Sequence, residues 1–336
     1  MNGRRVCDGA CISPVRRAVA ACLLGLASGL AAGQRPWPAK PIRIIVPFPA
    51  GGQTDVAARL VGQALGEALK IPVVIENRAG AHGLIGGAEA ARAPADGYTL
   101  LVASTGAVVI NPLLYEKMPY DPLLDFAPVS QLINVPIVVM TSTQALPAKT
   151  LKELVAHARA NPGKLDFSSA GNGGSSHLVA EYFKYRTGTS MTHVPFKGEA
   201  PATEAVVAGH VHLMFNTLVS TLPQMKSGRV RVLATTTRER LPELPDVPTV
   251  AETLGLKDFE ASSWTALYAP AGTAQEIVQR ISAQVDEALK RPALAGRLKE
   301  LGAVAVGGTP EQLAQLQRTE LEKWRQVVKA GRIKAD

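Results

Sequence analysis

Ile42-Arg43-Ile44-Ile45-Val46-Pro47-Phe48-Pro49-Ala50-Gly51-Gly52-Gln53-Thr54-Asp55 decides how the chain folds. Residues 42–46 form a short β-branched run, the signature of a buried parallel strand. Pro47 and Pro49 end it, because proline has no backbone donor for a ladder. Ala50-Gly51-Gly52 then makes a loop without side chains to crowd a visitor. Thr54 or Asp55 caps a helix reaching to about Leu69, with Val56, Leu60, Ala64 and Ala68 on one face. Strand, bare loop and helix start together make an anion cradle, since unpaired N–H groups and the positive end of the helix dipole converge there. An ordinary tight βα turn reads the same from this stretch alone.

Upstream, Arg4, Arg5, Arg16 and Arg17 lead into the apolar run 18–30 and then Ala31-Ala32-Gly33. A charged start, an apolar middle and small residues at the end predict a signal peptide over residues 1–33, cut near Ala32 to Gln34. The run is short for a membrane span, and no later stretch qualifies. Val19-Ala20-Ala21-Cys22 superficially resembles a lipoprotein box, but almost no apolar segment precedes it. Cys7, Cys11 and Cys22 all fall in the predicted leader, so the mature chain is expected to have no disulfide, thiol nucleophile or cysteine metal site. Loss of four arginines and one aspartate takes the formal charge from +8 to +5. The remaining charges are scattered and aromatic residues are sparse, a pattern that argues against a nucleic-acid partner.

Downstream, strand and helix keep alternating. Residues 73–76 read as a strand, 85–93 as a helix and 98–104 as a strand ending in Ser104-Thr105-Gly106. Repeated βα units predict a parallel sheet with helices on both faces, and ligands in such sheets bind beyond the carboxyl ends of the strands. Residues 126–140 read as two strands broken at Pro136, the crossing into a second domain. There the opening arrangement recurs: strand 166–169, then Ala170-Gly171-Asn172-Gly173-Gly174-Ser175-Ser176-His177 opening a helix up to Tyr185. Thr192 to Pro195 reads as an edge strand, 211–215 as a strand ending at Asn216, and 261–269 as a strand returning to the first domain with Trp264 in it. The expected division is 34–136 plus 261–336 for one domain and 137–260 for the other.

No Gly-x-Ser-x-Gly elbow, phosphate loop or dinucleotide fingerprint is present. His210-x-His212 lacks a third ligand at a suggestive spacing, so no metal is expected. His177 either bonds its own loop or faces a ligand; Lys197 is either a surface lysine or a positive charge at the cleft. Asp55 reads as a cap, and Trp264 as core or as a pocket wall.

Several segments taken jointly resemble the solute-binding receptors of tripartite tricarboxylate transporters, the Bug-type receptors. They are Trp37-Pro38-x-Lys40-Pro41-Ile42, Pro47-Phe48-x-Ala50-Gly51-Gly52-x-Thr54-Asp55, Glu76-Asn77-Arg78-x-Gly80 and Ala93-x-x-Asp96-Gly97-Tyr98-Thr99-Leu100. Asn111-Pro112, Ser169-Ala170-Gly171-Asn172-Gly173, His177-Leu178, Val194-Pro195-Phe196-Lys197-Gly198, Pro245-x-Val247-Pro248-Thr249 and Trp264 complete the set. The resemblance runs over residues 37–328. It implies a type II periplasmic-binding-protein fold, two α/β domains joined by two crossover strands, and a periplasmic receptor, not an enzyme, that closes around a small carboxylate and delivers it to membrane permease subunits. It implies a monomer without cofactor or metal.

The ligand residues so expected are Phe48, Ala50, Gly51, Gly52, Thr54, Asp55, Ser104 and Thr105 from the first domain. Ser169, Gly171, Gly173, Ser175, His177 and Asn216 are expected from the second. The chain departs from the family's usual pattern at Leu84, Val108, Glu199, His212 and Asn216. A neutral Asn216 facing the ligand predicts a preference for plain acids over amino acids, and Leu84 and Val108 push the same way, toward an apolar ligand body. An exported hydrolase or isomerase using His177 and Asp55 is the alternative reading.

Overall fold

A computed structural model describes residues 37–334 of the chain. The predicted signal peptide and its cleavage site lie outside the described residues, as do all three cysteines. Everything below concerns the compact unit that begins at Lys40.

β1 (Ile42–Val46) buries Ile42, Ile44, Ile45 and Val46 completely and lies between two parallel neighbours, β2 (Val73–Asn77) and β3 (Thr99–Ser104). α1 (Gln53–Leu69) follows the glycine loop and covers these strands. Its buried stripe is Ala57, Ala58, Val61, Ala64, Leu65 and Leu69, not the expected one of Val56, Leu60, Ala64 and Ala68. The two glycines of the helix explain the rotation. A methyl on Gly62 would sit 2.9 Å from Ile75 Cδ1, and one on Gly66 3.0 Å from the Ile71 carbonyl oxygen, so the glycine face marks the close approach to the sheet.

The sheet runs β2-β1-β3-β9-β4-β7-β5-β6, with β8 and β10 also paired to β4. β4 (Phe126–Ser142) is one continuous strand, contrary to the expected break at Pro136. Its first part pairs antiparallel with β9 (Ser262–Pro270), as far as Pro136 opposite Ser262, and with β10 (Val304–Gly307). From Ile137 onward it pairs with β7 (Leu213–Thr217), and from Val138 with β8 (Val230–Thr235). Pro136 sits at the handover between the two groups of strands, where the missing N–H breaks no continuous ladder. A second link forms where Ala261 N–H donates to Thr236 O and Thr236 N–H to Ile137 O.

Beyond the handover the first pattern repeats. β5 (Asp166–Ser169) lies parallel to β6 (Thr192–Pro195) and to β7. α2 (Leu84–Ala91), the short α3 (Asn111–Leu114) and α4 (Leu151–Ala160) precede α5 (Ser175–Thr187), which starts directly after the second glycine loop. α6 (Glu199–Val207) and α7 (Leu218–Lys226) flank β7, and α8 (Val250–Leu254) follows β8. α9 (Gln275–Leu289) packs on β4 and α1; α10 (Pro292–Glu300) leads to β10.

The last helix, α11 (Pro310–Gly331), lies against both β4 and α5. It is amphipathic, burying Leu313, Gln317, Leu321, Trp324 and Val327 at spacings of three and four. Gln317 donates to Val108 O, and the Trp324 ring meets Tyr182 edge-on at 5.9 Å. A single apolar cluster therefore runs from Leu101 and Val108 through Trp324 to Phe183 and Phe215.

Candidate functional site

The first glycine loop leaves β1 and turns at Gly51, whose φ of 84° is a left-handed value that suits glycine. The helix cap is Gly52, not Thr54 or Asp55, and no side chain caps it. Asp55 lies one turn in and reaches back: its carboxylate accepts from Gly51 N–H at 2.8 Å, Arg59 Nε at 2.9 Å and Asn77 Nδ2 at 2.8 Å. Asn77 also donates to the Phe48 carbonyl. Burial pushes the Asp55 carboxyl up, but the bonds from Arg59, Gly51 and Asn77 outweigh it and hold the group below the usual carboxylate range. Asp55 thus braces the loop from behind. Ala50, Gly51 and Gly52 are left exposed, and the first N–H groups of α1 lack intrahelical partners.

Gly51, Gly52 and Gln53 line a cavity of about 240 Å³. Val56 and Ala57 of α1, Ile133 and Val135 of β4, and Leu298, Leu301 and Ala303 give it apolar walls. Glu199, Thr217, Val219 and Ser220 line it from the strands and helices beyond the handover. Gln53 also reaches β9, its Nε2 lying 3.4 Å from Ser263 Oγ and 3.5 Å from Thr265 Oγ1. Glu199 Oε1 accepts from Thr217 Oγ1 at 2.6 Å.

The second glycine loop is built from the same elements and uses them differently. Gly174 caps α5, again without a side-chain cap. Gly173 N–H donates to His177 Nδ1 at 3.1 Å, Ala170 N–H to Ser176 Oγ at 3.0 Å and Gly171 N–H to Ser169 Oγ at 3.2 Å. Ser169 is fully buried and bonds His193 Nε2 at 2.6 Å. The His177 and His193 rings stack at 3.8 Å, and Phe167 stacks beside both, 4.9 Å from His193 and 6.2 Å from His177. Burial first, then the charges of His193 and Lys184, push the His177 imidazole down to about 3. A methyl on Gly173 would lie 2.4 Å from Leu114 Cδ1, so this loop packs directly on α3.

Of the expected ligand residues, Gly51 and Gly52 line the cavity. Phe48 is half-buried behind them, its ring facing Gly83. Thr54 is buried. Ser104 is half-buried at the end of β3, whereas the buried Thr105 hydroxyl accepts from Trp264 N–H and donates to Trp264 O. Ser169, Gly171, Gly173, Ser175 and His177 belong to the second loop and do not line this cavity.

Asn216 is buried, and its amide donates to Thr203 Oγ1 and accepts from Thr217 N–H. Asn216 does not line the cavity, whereas the next residue, Thr217, does. Leu84 and Val108 likewise line no part of the cavity. Lys197 is exposed, Trp264 is buried, and His212 pairs with Asp166 at 2.6 Å. Gln53, Thr217 and Ser220 are cavity residues that the sequence reading missed; the position of Ser220 in the first turn after β7 was the available signal.

The family described as tripartite tricarboxylate transporter family receptor matches residues 57–333. Protein BugT of Bordetella pertussis is 38% identical over 294 residues, covering 87% of this chain and 90% of BugT. Among solved structures, R. palustris Rpa4515 with adipate is 36% identical with a TM-score of 0.78, over 89% of this chain and 99% of that one. MatC from Rhodopseudomonas palustris with bound malate is 34% identical with a TM-score of 0.74, over 87% and 100%.

Proposed function

Because the chain belongs to the receptor family of tripartite tricarboxylate transporters, we propose that it captures a small carboxylate and hands it to the membrane permease subunits of such a transporter. Its fold is the type II periplasmic-binding-protein fold, two α/β domains joined by two crossover strands, here β4 and β9. The domain limits we adopt are 34–136 with 261–336, and 137–260. Pro136 at the handover in β4 supports the first limit, and the bond from Ala261 to Thr236 the second. The place of work is the periplasm, reached after removal of residues 1–33, and the working form is a monomer.

The observation that carries this reading is the braced, uncapped start of α1 opening on the cavity. Free N–H groups at a helix start meet an anion without needing a cation, and here the buried Asp55 carboxylate fixes the loop behind them through Gly51. The N–H groups of Gly52 and Gln53 receive one carboxylate, with Phe48, Ala50, Gly51, Thr54 and Asp55 shaping the loop and Ser104 near it. Closure of the two domains excludes water and strengthens these bonds, since a hydrogen bond to an anion gains in a low dielectric. The second loop, from Ser169 to His177, contributes the fixed wall against which the domains meet. His177 and Asp55, the two residues an exported enzyme would use, are both bonded to their own loops.

Gently purified protein tests the proposal. Mass spectrometry under native conditions, followed by release of the contents, is expected to find one small acid per chain, chemically unchanged. A protein that turns the acid over, or carries a different class of compound, contradicts it.

A further inference from the structure

We infer that Glu199 selects the ligand: it favours a small acid whose other end is an ammonium group and disfavours one with a second carboxylate. The inference rests on the proposed seat of the first carboxylate against Gly52 and Gln53 and adds what the rest of the cavity demands.

The cavity holds two kinds of polar wall. Backbone N–H groups at Gly52 and Gln53 offer donors, the Gln53 side-chain amide being turned to Ser263 and Thr265 of β9. Glu199 offers only acceptors. One of its oxygens takes the Thr217 hydroxyl at 2.6 Å, and it forms no ion pair among the described residues. With its single proton given to Glu199, Thr217 Oγ1 has only lone pairs left for anything else. Ser220, whose N–H already points at Thr217 Oγ1, shares this wall. The remainder is aliphatic, from Val56, Ile133, Val135 and their neighbours.

This half-buried carboxylate has accepting capacity to spare, so a ligand cation gains there and a ligand anion is repelled. Glu199 sits in the first turn of α6, where an acidic side chain complements the helix dipole without a protein cation. Asn216 cannot soften this choice, because its amide is buried and bonded elsewhere. The inference thus runs opposite to the preference for plain acids expected from Asn216.

Matched acids that differ only at one end test the inference by calorimetry: adipate against ε-aminocaproate and succinate against γ-aminobutyrate. The wild type is expected to bind at least one amino member at least tenfold more tightly than its dicarboxylate partner. In Glu199→Gln, which keeps the acceptor for Thr217, that ratio should fall by tenfold or more, about 1.4 kcal/mol. The wild-type ratio stands whether or not the variant folds. A wild type that takes the dicarboxylates equally well or better overturns the inference and leaves the receptor reading intact. So does an unmoved ratio in a folded Glu199→Gln. A wild type that takes no acid of either pair, nor propionate or benzoate, overturns both.

Discussion

The two glycine loops are the same motif in sequence and opposite devices in structure. Each follows a parallel strand, opens a helix capped by glycine and carries no side-chain cap. The first spends one N–H on its brace: Gly51 donates to the buried Asp55, which Asn77 of β2 and Arg59 hold in place, and no side chain of the loop takes the N–H of Gly52 or Gln53. The second satisfies itself. Ser169, Ser176 and His177 turn back and consume the N–H groups of Gly171, Ala170 and Gly173. A loop rich in glycine and hydroxyls can thus hold a ligand or hold itself, and what decides is how many of its N–H groups its own side chains take: one in the first loop, three in the second.

The largest effect expected from breaking this contrast is at Gly52. A side chain there meets only the Pro49 carbonyl at 3.7 Å and adopts an ordinary φ of −76°, so Gly52→Val should fold normally. Its methyls would occupy the cavity against the bare loop. Calorimetry should show affinity for the natural acid falling about a hundredfold or more, about 2.7 kcal/mol. Gly51 is the poorer test, because its positive φ adds backbone strain to any substitution.

Next comes the stacked histidine under the second loop. His177 is neutral when folded and takes a proton readily when unfolded, so the unfolded chain binds more protons between about pH 6.5 and 3. Stability is full above that window and falls as pH drops through it, by about 1.4 kcal/mol per pH unit at most. Chemical denaturation of His177→Gln should show a flatter pH profile between about pH 6.5 and 4. Wild type and variant with the same slope would mean that the imidazole is not buried neutral.

Asp55 should give the smaller pH effect and lie lower on the scale. Its carboxyl is held below 3.8, so its contribution is present above that value and is lost as pH falls through the depressed one. Asp55→Asn keeps the size but loses the anion that receives Gly51, Arg59 and Asn77. A stability loss of about 1–3 kcal/mol at neutral pH is expected, shrinking below about pH 4. Ligand affinity should drop about tenfold as the loop loosens, roughly 1.4 kcal/mol.

The fold was largely legible because its strands announce themselves. β1 reads directly from Ile42 to Val46, and β7 from its apolar run, since buried strands tolerate little else. Pro136 misled for a physical reason: proline usually ends a strand, but at a handover no ladder needs its donor. The site was legible in its first half, where glycines and the following helix have one consistent meaning. Beyond that, period-two alternation decides which of Asn216 and Thr217 faces the cavity, and a one-residue uncertainty at the strand end inverts the answer. Glu199 was visible as a departure from the family pattern, but its place on the cavity wall depends on two segments 18 residues apart meeting through Thr217. No local spacing encodes that contact.

The most direct test of the central claim compares an acid with its primary amide, a neutral near-isostere, by titration into the wild-type protein. If the bare N–H groups of the first loop receive a carboxylate, the acid will bind at least tenfold more tightly, one per chain, and the difference will largely vanish in Gly52→Val. An amide that binds as tightly as its acid would contradict the account, because the loop would then not be reading charge.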